Sequence, residues 1–103
     1  MENVRRFNSF AEFYPYYLAE HSNSTCRRLH FTGTTLVIFI LAMAIAKGSM
    51  LLMLALPVAG YSFAWVGHFF YERNRPATFQ HPLYSLLGDF VMYRDMILGK
   101  VPF

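Results

Sequence analysis

Two long apolar runs dominate the pattern of hydrophobic and polar positions along this chain. Residues 29–46, LHFTGTTLVIFILAMAIA, and residues 50–70, MLLMLALPVAGYSFAWVGHFF, contain no Asp, Glu, Lys or Arg. A helix of about 18 residues reaches about 27 Å, close to the hydrocarbon thickness of a bilayer. The intervening KGS at 47–49 supplies a charge, a helix breaker and an N-cap. The pattern predicts a transmembrane helical hairpin, and it favours this over a soluble pair of buried helices.

The two flanking segments are more polar and predict shorter helices. Residues 7–20 are rich in aromatic side chains and contain Pro15, so we expect an amphipathic helix that bends or restarts there. Residues 82–98 have helical spacing interrupted by Asp89, Arg94 and Asp95, which fits an interfacial helix or one docked on the hairpin. The predicted fold class is all-α: a small integral membrane protein forming one domain over residues 1–103.

Composition and charge agree with a membrane protein. Of the 103 residues, 55% are hydrophobic and 15% are charged, against about 25% charged in soluble domains. So short a soluble chain would have little interior for this much apolar surface. Cys26 is the only cysteine, so no disulfide framework is expected, and the N-terminus does not resemble a signal peptide. The net charge of +3 is dispersed, which argues against a nucleic-acid partner.

The cations predict an orientation. A hairpin places Lys47 at the turn and the other eight on the opposite side, namely Arg5, Arg6, Arg27, Arg28, Arg73, Arg75, Arg94 and Lys100. By the positive-inside rule, both termini are expected on the cytoplasmic side.

The histidines are the most informative feature. His30 begins the first apolar run and His68 ends the second, so a hairpin brings both to one membrane edge, with His21 just before and His81 soon after. Imidazoles beside a carboxylate, here Glu72, suit a divalent transition metal. Each residue also has an ordinary interpretation. The histidines can be helix-end, interfacial or loop residues, and Glu72 can pair with Arg73 or Arg75 at the surface. Spacing alone does not name the metal.

Other polar side chains lie near the histidines in the sequence. They are Asn23, Thr32 and Thr34 near the first two, and Asn74 and Asp89 near the others. We expect that some of them orient an imidazole, although taken singly each is more typical of a turn or a cap.

The segments HSNSTCRRLHFTGT at 21–34 and GHFFYERNRPA at 67–77 resemble the two signatures of the iron-dependent 2-hydroxy fatty acid dioxygenase family. Its fungal members act in phytosphingosine breakdown, and small bacterial proteins form a second branch. The likeness extends over about residues 14–93. It implies His21, His30 and His68 as metal ligands with Glu72 beside them. His81 lies in a segment closer to the bacterial branch, and it is a candidate further ligand.

The resemblance implies an Fe(II) enzyme that takes a 2-hydroxy fatty acid and O2 to the acid one carbon shorter, with loss of CO2. The conversion releases four electrons and O2 accepts four, so no nucleotide cofactor is needed, and no glycine-rich nucleotide loop is present. The implied catalytic residues are His21, His30, His68 and Glu72. Candidates to steer the substrate carboxylate to the membrane edge are Arg27, Arg28, Arg73 and Arg75, although at least two of the four are more typical of cations that set the topology. Asn23 is a further candidate substrate-binding residue. The implied setting is a bilayer, with the site on the cytoplasmic side of a bacterial inner membrane, and a homo-oligomer is left open.

Three other functions compete with this interpretation. A non-enzymatic membrane metal-binding or scaffold subunit would fill every metal position with protein. A membrane hydrolase or desaturase-type di-metal enzyme is less compatible, since desaturase-like sites need many more than four histidines. A soluble lipid-binding helical module would dissolve without detergent.

Overall fold

The computed structural model describes residues 6–103, and these fold into helices joined by short turns. Four α-helices follow one another as α1 (Phe10–Ala19), α2 (Ser24–Lys47), α3 (Met50–Val66) and α4 (Pro82–Ile97). A π-helical segment, Gly67–Glu72, continues α3, and a 3-10 turn, Ala77–Phe79, precedes α4. The predicted all-α class is therefore confirmed, while Arg5, used above to predict the orientation, lies outside the described residues.

The hairpin of α2 and α3 turns at the predicted break. Gly48 ends α2 in the left-handed conformation at φ 60°, and its N–H donates to the carbonyls of Ala44 and Ile45. The Ser49 hydroxyl then accepts from the Leu52 N–H at 3.2 Å and begins α3. The helix α2 begins earlier than the apolar run, at Ser24, because Asn23 caps its first turn. The predicted single helix over 50–70 is in fact an α-helix followed by π-helical turns.

The outer surface of the hairpin is apolar and lacks protein cover. Leu51, Ile45 and Val58 have exposed fractions of 77%, 72% and 67%. Residues Ser24–Lys47 and Met50–Glu72 are both long and apolar enough to cross a membrane, and few of their residues are buried in the protein. The core helix of a soluble protein would be mostly buried, so the exposure favours two membrane-spanning helices.

The protein's own hydrophobic core lies at the other end, between α1 and α4. Phe13 and Tyr17 of α1 pack with Met92 and Met96 of α4, all buried. The helix α1 is one uninterrupted element that contains Pro15, so the expected restart at the proline does not occur. Residues predicted as separate interfacial helices thus form a packed unit at the open end of the hairpin.

Two glycines allow close approach where these elements meet. A Cβ at Gly67 would lie 2.9 Å from Cys26 Sγ, so the end of α3 rests directly on the start of α2. A Cβ at Gly88 would lie 2.9 Å from Cδ2 of Tyr17, so α4 rests directly on the aromatic ring of α1. These contacts lie where the π-helical segment meets α2 and where α4 meets α1.

Candidate metal centre

Three histidines from different parts of the chain meet where α1, α2 and the π-helical segment approach one another. His21 lies in the turn after α1, His30 near the start of α2, and His68 in the π-helical segment. All three are buried. The Nε2 atom of His21 lies 3.1 Å from Nε2 of His30 and 3.0 Å from Nε2 of His68. Residues separated by up to 47 positions in the chain therefore converge, as the hairpin predicts.

The tautomer of each imidazole follows from its other nitrogen. Nδ1 of His21 is 2.6 Å from the Tyr17 carbonyl and Nδ1 of His30 is 3.0 Å from the Cys26 carbonyl. Carbonyl oxygens only accept, so each Nδ1 carries the hydrogen and donates. Each Nε2 is then left with a lone pair.

Asn74 does the same for His68. The Nδ2 amide of Asn74 donates to the Glu20 backbone carbonyl at 3.1 Å and to its Oε2 at 2.6 Å. The amide oxygen therefore faces His68 and accepts from Nδ1–H at 2.7 Å. This is the orienting role expected of one of the polar neighbours, and it leaves the third Nε2 lone pair pointing into the same space.

The arrangement fits a bound cation. Three inward lone pairs with no hydrogen between them repel one another unless a positive charge lies among them. Two ligand atoms about 2.1 Å from a shared ion, at about 90° to each other, are about 3.0 Å apart, which matches the Nε2 spacings of 3.0 and 3.1 Å. Within residues 6–103, the only group of potential ligands is His21, His30 and His68. Imidazoles suit Fe, Zn, Cu or Ni, so geometry alone does not select the ion.

Burial keeps the His21 imidazole neutral. The pKa of His21 lies well below its ordinary value because burial disfavours the charged imidazolium, and the neighbouring His30 and His68 disfavour it further. A neutral imidazole is the form that binds a metal.

The π-helical segment explains how His68 and Asn74 come together. Its wide turns end at Arg73, in the left-handed conformation at φ 58°, and the Asn74 N–H donates back to the His68 carbonyl at 3.0 Å. The chain thus returns beneath its own histidine. Such π-helical turns are frequent at functional sites.

Two cavities that share four lining residues adjoin the imidazoles. The smaller touches all three histidines, and it is also lined by Tyr17, Tyr61, Ala64, Pro76, Ala77, Thr78, Ser85 and Asp89. The larger, of about 340 Å³, runs between α2, α3 and α4. Both are lined by His30, Tyr61, Ala64 and Asp89. The larger cavity continues along apolar side chains toward the hairpin turn, namely Val37, Leu41, Leu56 and Pro57.

The three-histidine group thus adjoins a mainly apolar cavity, which His30 lines directly. The model of the family described as "2-hydroxy-palmitic acid dioxygenase Mpo1-like" matches residues 7–101, nearly the whole chain. The chain belongs to the Mpo1-like family. This description suggests a dioxygenase acting on a 2-hydroxy fatty acid, in agreement with the resemblance noted from the sequence. No curated protein and no solved structure matches the chain.

His81, expected as a further ligand of the Mpo1-like site, is not brought to the other three. It caps the start of α4, and its ring packs edge-on against Phe7 and Phe13 with centroid distances of 5.2 and 5.5 Å. Its Nε2 has no hydrogen-bond partner within residues 6–103. These aromatic contacts keep the half-buried His81 ring apart from the group formed by His21, His30 and His68.

Glu72 and Asn23 take structural positions. Glu72 accepts hydrogen bonds from the Asn23 N–H and, at 3.2 Å, from the Ser22 hydroxyl. The Asn23 side chain caps α2 by accepting from the Thr25 N–H at 2.9 Å and the Cys26 N–H at 3.2 Å. Both residues fasten the turn that carries His21, and neither belongs to the metal-ligand group or lines either cavity.

The four arginines expected to meet the substrate carboxylate lie outside both cavities. Arg27 donates to the Pro102 carbonyl at 2.8 Å and to the His21 carbonyl at 3.0 Å. Arg28 donates to the Phe103 carbonyl at 3.2 Å. Arg73 and Arg75 are exposed beside an open surface depression. The first two therefore tie the chain's C-terminal end to the turn and α2, and the other two face outward.

The remaining polar neighbours divide between the surface and the cavities. The Thr32 hydroxyl donates to its own helix, at the Arg28 carbonyl, whereas Thr34 lines the larger cavity. Asp89 lines both cavities and accepts a hydrogen bond from the Tyr17 hydroxyl. Burial raises the pKa of Asp89 to about 7, although the hydrogen bond from Tyr17 works in the opposite direction.

Tyr17 and Ser85 were not identified from the sequence. The ring of Tyr17 stacks on His21 at a centroid distance of 4.0 Å, and Ser85 lines the smaller cavity. A signal was present for each. Tyr17 precedes His21 by four residues, and Ser85 precedes Asp89 by four, so each pair shares one side of a helix or its end.

Proposed function

We propose that this Mpo1-like protein is a membrane-embedded, Fe(II)-dependent dioxygenase. It converts a 2-hydroxy fatty acid and O2 to the fatty acid one carbon shorter, CO2 and water. The four electrons released when the C2 alcohol and the carboxylate become a shorter acid and CO2 reduce O2 completely. No further reductant is required.

The observation that carries the proposal is the position of the three inward lone pairs beside an apolar cavity. Three protein ligands leave coordination positions for molecules from outside, which is the pattern of catalytic rather than structural metal sites. A purely structural site would be expected to fill those positions with further side chains. Within residues 6–103, no fourth ligand joins the group.

Iron suits the reaction because the oxidant is O2. Zinc matches the imidazole donors equally well but has no redox chemistry. Fe(II), held by His21, His30 and His68, would supply the redox and Lewis-acid chemistry that links O2 to the 2-hydroxy acid.

The protein's own contribution is to hold and shield the three imidazoles. The carbonyls of Tyr17 and Cys26 and the amide oxygen of Asn74 fix the ring orientations through Nδ1–H. Glu72 acts as a positioning residue, because it joins the π-helical segment to the turn that carries His21. Pro76 and Ala77, both buried, cover the smaller cavity and limit access of water.

The larger cavity accommodates the acyl chain. It extends along α2 from His30 to Leu41, a distance of about 16 Å at 1.5 Å per residue. A 2-hydroxy fatty acid bound there has its carboxyl end at the histidines and its methyl end toward the hairpin turn. This arrangement leaves C2 beside the metal-ligand group.

We place the hairpin across a bacterial inner membrane, with the histidines at the level of the cytoplasmic headgroups. The distribution of cations supports this side. Lys47 lies at the hairpin turn, and the other described cations belong to the segments outside the two apolar runs. Arg73 and Arg75 lie at the same edge, where they steer an acyl carboxylate toward the site from the membrane surface.

The test is turnover by purified protein. The detergent-solubilised chain is loaded with Fe(II) under anaerobic conditions and mixed with 2-hydroxypalmitate and O2. We expect one iron per chain, consumption of one O2 per substrate, and appearance of the fifteen-carbon acid with CO2. Stoichiometric iron without turnover at any chain length would contradict the proposal and favour a non-enzymatic metal-binding subunit.

A further inference from the structure

Ser85 has a buried hydroxyl that the fold leaves without a partner. Its side chain is 2% exposed, and its Oγ makes no hydrogen bond within residues 6–103. In contrast, the Thr32 and Thr35 hydroxyls of α2 each donate to the carbonyl four residues earlier at 2.9 Å. A buried hydroxyl without a partner costs free energy, so we expect a bound molecule, either a ligand or a water, to satisfy it.

The surroundings of Ser85 indicate where that ligand lies. Ser85 lines the smaller cavity, which also touches the three metal-ligand histidines. Asp89 stands one helical turn later, on the same side of α4, and lines both this cavity and the larger apolar one. The two side chains therefore form a polar wall at the junction between the imidazoles and the acyl cavity.

The carboxyl group of Asp89 is held in place from behind. The Tyr17 hydroxyl donates to its Oδ1, and Gly88 allows α4 to lie directly on the Tyr17 ring. Because a carboxylate accepts several hydrogen bonds, this anchor leaves acceptor capacity for a ligand. The wall thus offers one donor, at Ser85, and one acceptor, at Asp89.

We propose that Ser85 and Asp89 recognise the 2-hydroxy acid group: Ser85 donates to the substrate carboxylate and Asp89 accepts from the C2 hydroxyl. The inference rests on the proposed function for its substrate class. Matching of hydrogen-bond donors and acceptors would then select 2-hydroxy acids over 2-oxo acids and unsubstituted fatty acids. A 2-oxo acid presents only acceptors at C2 and faces the Asp89 carboxylate unfavourably, while an unsubstituted fatty acid leaves this acceptor without its partner.

The experiment measures binding to metal-free protein in lipid nanodiscs at pH 8, with palmitate, 2-hydroxypalmitate and 2-oxopalmitate as the ligands. Ratios of affinities are compared, so that partition of each acid into lipid cancels between variants. Wild-type protein should bind the 2-hydroxy acid at least about tenfold more tightly than the 2-oxo acid. Asp89→Asn, which gives the wall an amide donor, should lower that ratio about tenfold or more. Because it also removes a negative charge near the ligand carboxylate, it should strengthen palmitate binding.

Asp95→Asn is the matched control. Asp95 also lies on α4 and accepts from a tyrosine of α1, Tyr14, at 2.8 Å, but it lines neither cavity. This variant should keep the wild-type ratio. Ser85→Ala removes an atom without protein partners, so it should fold normally and weaken binding of all three acids by a similar factor, about tenfold.

The outcomes separate this inference from the proposed function. An unchanged hydroxy-to-oxo ratio in Asp89→Asn, or unchanged affinities in Ser85→Ala, would overturn the polar wall even if the iron-loaded protein oxidises 2-hydroxypalmitate. Failure of metal-free wild-type protein to prefer the 2-hydroxy acid would overturn it as well. If Asp89→Asn does not fold, Ser85→Ala decides alone. If iron-loaded wild-type protein does not oxidise 2-hydroxypalmitate, that result would instead refute the proposed function.

Discussion

The two ends of this small molecule differ in how far protein buries their side chains. At the histidine end, aromatic and polar side chains are buried in protein, and each inward imidazole has a fixed hydrogen-bond partner. At the hairpin turn, large apolar side chains such as Leu51 and Met50 are more than two thirds exposed. The contrast fits the proposed arrangement, in which protein packing builds the histidine group and lipid covers the hairpin.

The largest expected effect comes from removing a ligand at the histidine end. His68→Ala should weaken metal binding by more than about 100-fold, since loss of a ligand exceeds the effect of losing an orienting partner. Lys47→Ala, at the hairpin turn, should leave metal content and activity unchanged. Iron per chain after dialysis measures both. Full metal content in His68→Ala would show that the three histidines are not the ligand set.

The contrast also predicts that a charge introduced on exposed apolar surface disfavours membrane insertion at the hairpin but not beyond α4. Val58→Arg, on the exposed middle of the hairpin, should disfavour membrane insertion by about 3 kcal/mol. Leu98→Arg, with a similar exposed fraction of 59% after α4, should have little effect. Alkaline carbonate extraction of membranes compares the two. Equal retention of both variants in the pellet would argue against lipid around the hairpin.

Orientation of a ligand should matter less than the ligand itself. Asn74→Ala leaves His68 in place but removes the acceptor at 2.7 Å from its Nδ1. We expect metal affinity to fall about 10- to 100-fold, with the helical content unchanged. Competition with a chelator of known affinity gives the value. An affinity equal to wild type would mean that the tautomer of His68 does not depend on Asn74.

The smallest effects on metal binding should come from two glycines, one at each end. Gly67→Ala introduces a Cβ 2.9 Å from Cys26 Sγ, which should destabilise the fold by about 1–3 kcal/mol and weaken metal binding. In Gly48→Ala the added Cβ has open space, but the backbone has a φ of 60°, which residues other than glycine disfavour. The variant should therefore lose about 1–2 kcal/mol of folding stability without any change in metal binding. Thermal unfolding with and without metal separates them. A metal-induced stabilisation equal to wild type in Gly67→Ala would contradict the close approach at the site.

The sequence was sufficient for the hairpin and for the meeting of three histidines. Charge-free runs of spanning length and the KGS break define α2 and α3, and a hairpin then forces His30 and His68 to one edge. The sequence pattern did not predict the π-helical turns, because these depend on Asn74 returning beneath His68.

Long-range packing explains the predictions for single residues that the structure does not support. His81 lies close to the site in the sequence, but its ring packs against Phe7 and against Phe13 of α1 instead. Arg27 and Arg28 bind carbonyls near the C-terminus, about 75 residues away. Such contacts depend on how α1 and α4 pack, which local pattern does not specify. The orienting carbonyls of Tyr17 and Cys26 are invisible to side-chain motifs altogether.

In the proposed function, three imidazoles hold Fe(II) with positions open to external molecules, beside a site for a 2-hydroxy acid. Nitric oxide added to the anaerobic Fe(II) protein probes these positions, because it binds only where a coordination position is free. We expect a high-spin iron–nitrosyl signal by electron paramagnetic resonance, at one iron per chain, that changes when 2-hydroxypalmitate is added. Full iron content with no nitrosyl signal would contradict the proposal.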